Sequence, residues 1–207
     1  MRPIGLLSHL NLARGRDHGA LDRDWEVQSA VSALRGVQNS QKKGDLKVTA
    51  HQLSVTVAIN SWKLVVERAN KFFSNLSDDQ LFKEVAPGRN RLIYLWGHLT
   101  AIHDAMFPIL GLGERLHPEL DATFVSHPDK KDTQLPAASD LKKYWDEVNR
   151  KLLSQFESLP VDEWLQRHRA MSEEDYAKDP TRNRLAVLLS RTNHASYHLG
   201  QAVLARE

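Results

Sequence analysis

The feature that most constrains this chain is an apolar stripe that begins just after His51. Val55, Ala58/Ile59, Trp62, Val65/Val66, Ala69, Phe72/Phe73 and Leu76 recur at alternating steps of three and four. Such steps keep returning to one face of a 3.6-residue period, which predicts an amphipathic helix of about 25 residues. The pattern comes back three times. Leu92, Leu95, Leu99, Ile102, Met106 and Ile109 mark a second helix, ended by the Gly111-Leu112-Gly113 run. Leu141, Trp145, Val148, Leu152, Phe156 and Leu159 mark a third, with Ser139 or Asp140 as its cap and Pro160 as its stop. A fourth runs from about Arg184 to Ala205. No segment alternates convincingly at the two-residue period of a strand. The reading is therefore all-α, a four-helix bundle in which each apolar stripe faces the others.

The connections are uneven. Residues 111–137 form a long link between helices two and three, and their prolines and charges argue against a regular helix. A link of that length crosses over the fold, covers a site, or both. Residues 1–47 read as an N-terminal extension, partly disordered or a short helix over Trp25–Gln38, and residues 48–207 as the bundle. The extension holds 8 Lys/Arg against 5 Asp/Glu and the remainder 20 against 21, so the charge is nearly balanced. There is no basic stripe of the kind phosphate neutralisation needs, which argues against a nucleic-acid partner. No apolar run reaches membrane-spanning length. The opening MRPIGLLSHLNLARGRDHG has too short an apolar stretch for a secretory leader, and a cytoplasmic location is expected. The chain has no cysteine, so it offers neither a disulfide nor a thiolate of its own.

Chemistry is suggested by the histidines. His194 and His198 are four residues apart, one above the other on one helix face, with Arg191 and Gln201 on that same face. The face borders the apolar stripe of Leu188, Ala195, Leu199 and Ala202. Two such rings are most often ordinary packing residues; alternatively they hold a metal, which then needs a third ligand. His98, set between Leu95 and Ile102, edges the inward side of the second helix and is the best candidate. His103 lies about 140° further round and cannot share that direction. Three imidazoles suit Zn²⁺, and Ni²⁺ or Fe²⁺ less well, and leave a coordination position open, as catalytic sites do. A fourth ligand from His117 or His127 in the long link would instead close the site. The zinc-peptidase pattern H-E-x-x-H is excluded, because Ala195 stands where its glutamate base belongs.

A long helix bearing Trp96-Gly97-His98-Leu99 in its first half, then a C-terminal helix with His194-x-x-x-His198-Leu199-Gly200-Gln201, resembles the DinB/YfiT-like superfamily over roughly residues 50–207. The resemblance implies a four-helix bundle whose ligands to a divalent metal (Zn, or Ni/Fe) are His98, His194 and His198, often in a homodimer. It also implies a small-molecule substrate and, in members of known activity, a low-molecular-weight thiol as cosubstrate. The chain is thus expected to be a thiol S-transferase or a related metal-dependent hydrolase. The alternative is a non-catalytic, stress-associated metal-binding or interaction module. Arg191 is a candidate to hold a carboxylate of the thiol or substrate. Gln201 is a candidate to hydrogen-bond a ligand histidine and fix its tautomer. Two positions depart from the pattern of many members: Tyr197 replaces a histidine before the last ligand, and Ala195 replaces an acidic residue. The second departure leaves any general base unidentified.

Overall fold

The computed structural model describes residues 48–130 and 135–205. The extension over 1–47, with the Trp25–Gln38 segment, lies outside the described residues. Among the described residues all regular structure is helical, joined by isolated bridges at Glu84–Arg91 and Arg167–Asn183.

Helix α1 (Ala50–Phe73) opens on a reciprocal cap. Thr49 Oγ1 accepts from Gln52 N at 3.1 Å, and Gln52 Oε1 accepts from Thr49 N at 2.7 Å. Two of the amide donors that every helix start leaves unmatched are thereby satisfied. The buried residues of α1 are Val55, Ala58, Ile59, Trp62, Val65, Ala69, Phe72 and Phe73, the stripe the spacing predicts. Ser77 caps the short α2 (Asp78–Leu81) in the same manner.

The second long stripe is two helices, α3 (Leu92–Asp104) and α4 (Met106–Leu110), parted at Ala105. Pro108 has no N–H to return to the Asp104 carbonyl, so the ladder breaks there. Gly111, at φ 74°, ends α4 in the left-handed region where a glycine is favoured. The long link is less irregular than its composition suggests, since it contains α5 (Leu120–Phe124), whose two end residues are both buried. Helix α6 (Ala138–Ser158) starts earlier than expected. Its N-cap is Ala137, with no side-chain cap; Ser139 lies inside the helix and Asp140 in its first turn, where a carboxylate favours the helix dipole. After α7 (Val161–Trp164) and α8 (Glu173–Lys178), Asn183 caps α9 (Arg184–Leu204) by accepting from Ala186 N at 2.9 Å.

The long helices pack in pairs: α1 against α9 and α6, and α3 against the same two. Their apolar faces form two clusters. One gathers Phe72, Phe73, Leu95, Trp96, Leu99, Phe124, Trp145 and Ala195. The other gathers Trp62, Met106, Phe107, Val148, Leu152, Phe156, Trp164 and Leu188. Trp62, Trp96, Trp145 and Trp164 are all core. Where the clusters meet, His103 lies between Trp62 of the second (ring centroids 4.3 Å) and Trp145 of the first (4.9 Å).

The long link is fastened to α3 by charge. Asp104 is fully buried and accepts from Arg115 Nε at 2.9 Å and from the backbone N–H groups of Leu116 (2.7 Å) and His117 (3.0 Å). Arg115 also grips Asp121 of α5. A buried carboxylate is tolerable only with such partners. The clamp brings α5 down onto α3, and the approach is close: a Cβ on Gly97 would stand 2.3–2.6 Å from ring atoms of Phe124.

Candidate metal centre

His98 on α3 and His194 and His198 on α9 come together. One ring nitrogen from each lies within 4.8 Å of the other two. His98 Nε2 is 3.4 Å from His194 Nε2, and His198 Nε2 is 3.0 Å from the same atom. Their rings meet edge to face, with interplanar angles of 75–81°.

The outer nitrogens decide which protons are where. His98 Nδ1 lies 2.8 Å from the carbonyl of Phe124, which can only accept, so Nδ1 carries the proton and Nε2 is a bare lone pair. Gln201 Nε2 donates to Tyr197 OH at 3.2 Å, which turns Gln201 Oε1 toward His198 Nδ1 at 2.8 Å. His198 Nε2 is therefore a bare lone pair as well. Two lone pairs then face His194 Nε2. A single proton on that atom satisfies one of the two contacts and leaves the other repulsive. One cation satisfies all three. With metal–nitrogen bonds of about 2.0–2.1 Å, ligand nitrogens at tetrahedral angles stand about 3.3–3.4 Å apart. The observed 3.0 and 3.4 Å fall beside that value, so the residues fit a divalent cation on both tautomer and spacing.

Electrostatics keep the rings neutral. Burial pushes the His98 imidazole below its ordinary value; the Phe124 bond opposes this, and the Arg191 charge adds to it. Burial likewise lowers His198, against the pull of Gln201. His194 is pushed down to about 4, by burial first and then by His198, His98 and Arg191. Neutral imidazoles are the form that binds metal.

The other sequence candidates are placed as follows. Gln201 holds the outer nitrogen of His198. Arg191 is half-buried near the centre, and its Nε has no hydrogen-bond partner among the described residues. His117 faces Tyr144 at 4.1 Å, with Glu119 and Glu147 at its nitrogens. The main-chain carbonyl of His127 accepts from Tyr94 OH. Among the described residues neither joins the three-histidine group. Tyr197 is on the outer surface at 63% exposure, while Ala195 is core.

Sequence reasoning missed two contributors. The Phe124 carbonyl is a backbone group and has no signature of its own. Tyr94, whose hydroxyl reaches both the Phe124 and His127 carbonyls, braces the same strand of the link. His103, set aside as a ligand from its direction on the helix, is outside the three-histidine group; it is fully buried, with Nδ1 held at 2.8 Å by Asn149 Oδ1 and its pKa driven down to about 3, chiefly by burial.

No curated protein matches the chain. The family profile described as DinB superfamily matches residues 62–202, a span that includes His98, Arg191, His194, His198 and Gln201. That match covers well over half of the sequence and agrees with the all-α fold: the chain belongs to the DinB superfamily.

Proposed function

We propose that His98, His194 and His198 hold a divalent cation and that the chain is a metal-dependent thiol S-transferase, or a related hydrolase, acting on a small electrophilic substrate. The observation that carries the reading is the pair of Nε2 lone pairs, fixed by Phe124 and Gln201, that both face His194 Nε2. A divalent cation held by three neutral imidazoles supplies Lewis acidity, which lowers the pKa of a thiol or water reaching its open position. The group contains no fourth histidine or carboxylate among the described residues, which favours a catalytic over a structural centre. The protein has no cysteine, so the sulfur nucleophile comes from a small thiol cosubstrate. Arg191, whose charge opposes protonation of His98 and His194, would hold a carboxylate of that thiol or of the substrate.

The test is metal analysis of protein purified without a metal-affinity resin. Wild type is expected to carry one equivalent of metal and His194→Ala none. Stoichiometric metal retained in the variant defeats the ligand assignment. Small thiols paired with an alkylating electrophile, and ester or amide substrates without thiol, then separate transferase from hydrolase. Turnover that persists after chelation defeats the metal-dependent reading.

A further inference from the structure

The long link meets the first half of α3 along a line of three side chains. Arg91, the N-cap of α3, takes Asp129: its backbone N–H donates to Oδ2 at 2.6 Å and its Nη2 to Oδ1 at 2.6 Å. Tyr94 comes next. Its hydroxyl donates to the His127 carbonyl at 2.5 Å and stands 3.3 Å from the Phe124 carbonyl. His98, one turn beyond Tyr94 on the same face, donates from Nδ1 to the Phe124 carbonyl at 2.8 Å. The partners descend as the positions on α3 rise: Asp129 with Arg91, His127 with Tyr94, Phe124 with His98. The link therefore runs antiparallel to α3 over this stretch. Three rungs hold it in one register, and the last rung is a histidine of the centre.

The Phe124 carbonyl closes α5, and the carbonyls of a helix's last turn have no partner within the helix. Its direction has to be fixed from outside. Before it, Arg115 holds α5 at Asp121. After it, Tyr94 holds the chain at His127. Tyr94 is buried, and its ring lies nearly parallel to that of His98, 7° apart with centroids at 6.4 Å, so the hydroxyl and Nδ1 reach the link from the same side. A phenol hydroxyl has one proton to give. It goes to the nearer carbonyl, that of His127, and the Phe124 carbonyl is left to accept from His98 Nδ1–H.

We propose that Tyr94 is a positioning residue for His98. Its hydroxyl, bound to the His127 carbonyl, sets the register in which the Phe124 carbonyl meets His98 Nδ1, and so keeps the Nε2 lone pair of His98 turned toward the cation. The proposal rests on the metal-centre reading above. Tyr94 acts through the link and through His98.

The experiment compares the full chain with Tyr94→Phe, which keeps the ring and its packing and removes only the hydroxyl. Long-range ¹H–¹⁵N spectra are recorded first on metal-free protein. Wild type is expected to show His98 protonated at Nδ1 alone. In the variant part of the His98 population is expected to carry its proton on Nε2, while His198, held within α9 by Gln201, keeps its proton on Nδ1. Zinc affinity is then measured by chelator competition and is expected to fall about tenfold, the lower end of what losing an outer partner of a ligand histidine costs, because Tyr94 stands one bond further out. His98 protonated at Nδ1 alone in the variant, with zinc bound as tightly as by wild type, overturns the proposal. So does an equal disturbance of His98 and His198, which marks general loosening rather than positioning. Wild type that takes up no zinc overturns the metal reading by itself, and the metal-free spectra still decide whether Tyr94 directs His98.

Discussion

Gly97 offers the sharpest test of how the centre is assembled, because two physical effects predict opposite signs for Gly97→Ala. Gly97 lies inside α3, and replacing a helical glycine by alanine ordinarily stabilises by about 1 kcal/mol. Here the new methyl would stand 2.3 Å from Phe124 Cε1 and 2.4 Å from Cζ. Carbon atoms normally approach to about 3.5–4.0 Å, so the ring must retreat by more than 1 Å. Phe124 is fully buried, with Tyr94 beside it at 5.7 Å, and the Arg115 clamp holds its helix down. Overpacking of that kind costs about 1–3 kcal/mol, and the close approach points to the upper half of the range. The expected balance is a net loss of about 1–2 kcal/mol, seen as a fall in Tm of roughly 2–8 °C for a domain of this size. The Phe124 carbonyl moves with its ring, so its bond to His98 Nδ1 weakens and zinc affinity drops about tenfold. Thermal unfolding of metal-free protein and chelator competition of loaded protein measure the two parts. A variant that melts at or above wild type shows that propensity wins and refutes the close-packing account. One that melts lower but binds zinc unchanged refutes the link from Phe124 to His98.

Two further outcomes follow from named contacts. Gln201→Leu keeps the bulk but removes the acceptor on His198 Nδ1, and zinc affinity is expected to fall about 10–100-fold; unchanged affinity would reduce Gln201 to a packing residue. Acid stability should report His103. Its folded-state pKa is depressed from 6.5 to about 3, so between those values the unfolded chain binds a proton that the folded chain refuses. Its contribution is complete above about pH 6.5 and is lost as pH falls toward 3, at about 1.4 kcal/mol per unit. Urea unfolding of metal-free protein at about pH 7 and pH 5 should therefore show His103→Gln losing about 2 kcal/mol less than wild type. Equal losses would mean that His103 does not titrate on unfolding.

What the sequence reveals and what it hides divide along a physical line. The long helices were legible because a buried face repeats every three to four residues and nothing else imposes that period. His194 and His198 were legible for the same reason, since the helix itself sets their relation. The break at Ala105 was available from Pro108, whose missing N–H disrupts any ladder, but six apolar positions in a row masked it. Helix α5 was hidden because a helix of five residues shows a single period, Leu120 to Phe124, inside a segment rich in turn-formers. The start of α6 was misjudged because good capping residues at 139 and 140 were not used; the helix begins on plain alanine.

The outer half of the centre was illegible for a deeper reason. A ligand histidine announces itself by type and spacing, but the group that orients it needs only an acceptor at one point in space. In this chain those groups are a backbone carbonyl at Phe124 and an amide one turn away at Gln201. They share no chemistry that a pattern could capture. The first depends on packing: Phe124 is held by the Asp104–Arg115–Asp121 clamp and admitted by Gly97. Two of the ring directions in the centre are thus fixed from separate parts of the fold, the long link and α9 itself. If that is so, Asp104→Asn, which touches no histidine of the centre, should still weaken zinc binding through the sequence Arg115, α5, Phe124, His98. Full zinc affinity in a variant whose clamp has opened would show that α3 and α9 suffice to hold the rings.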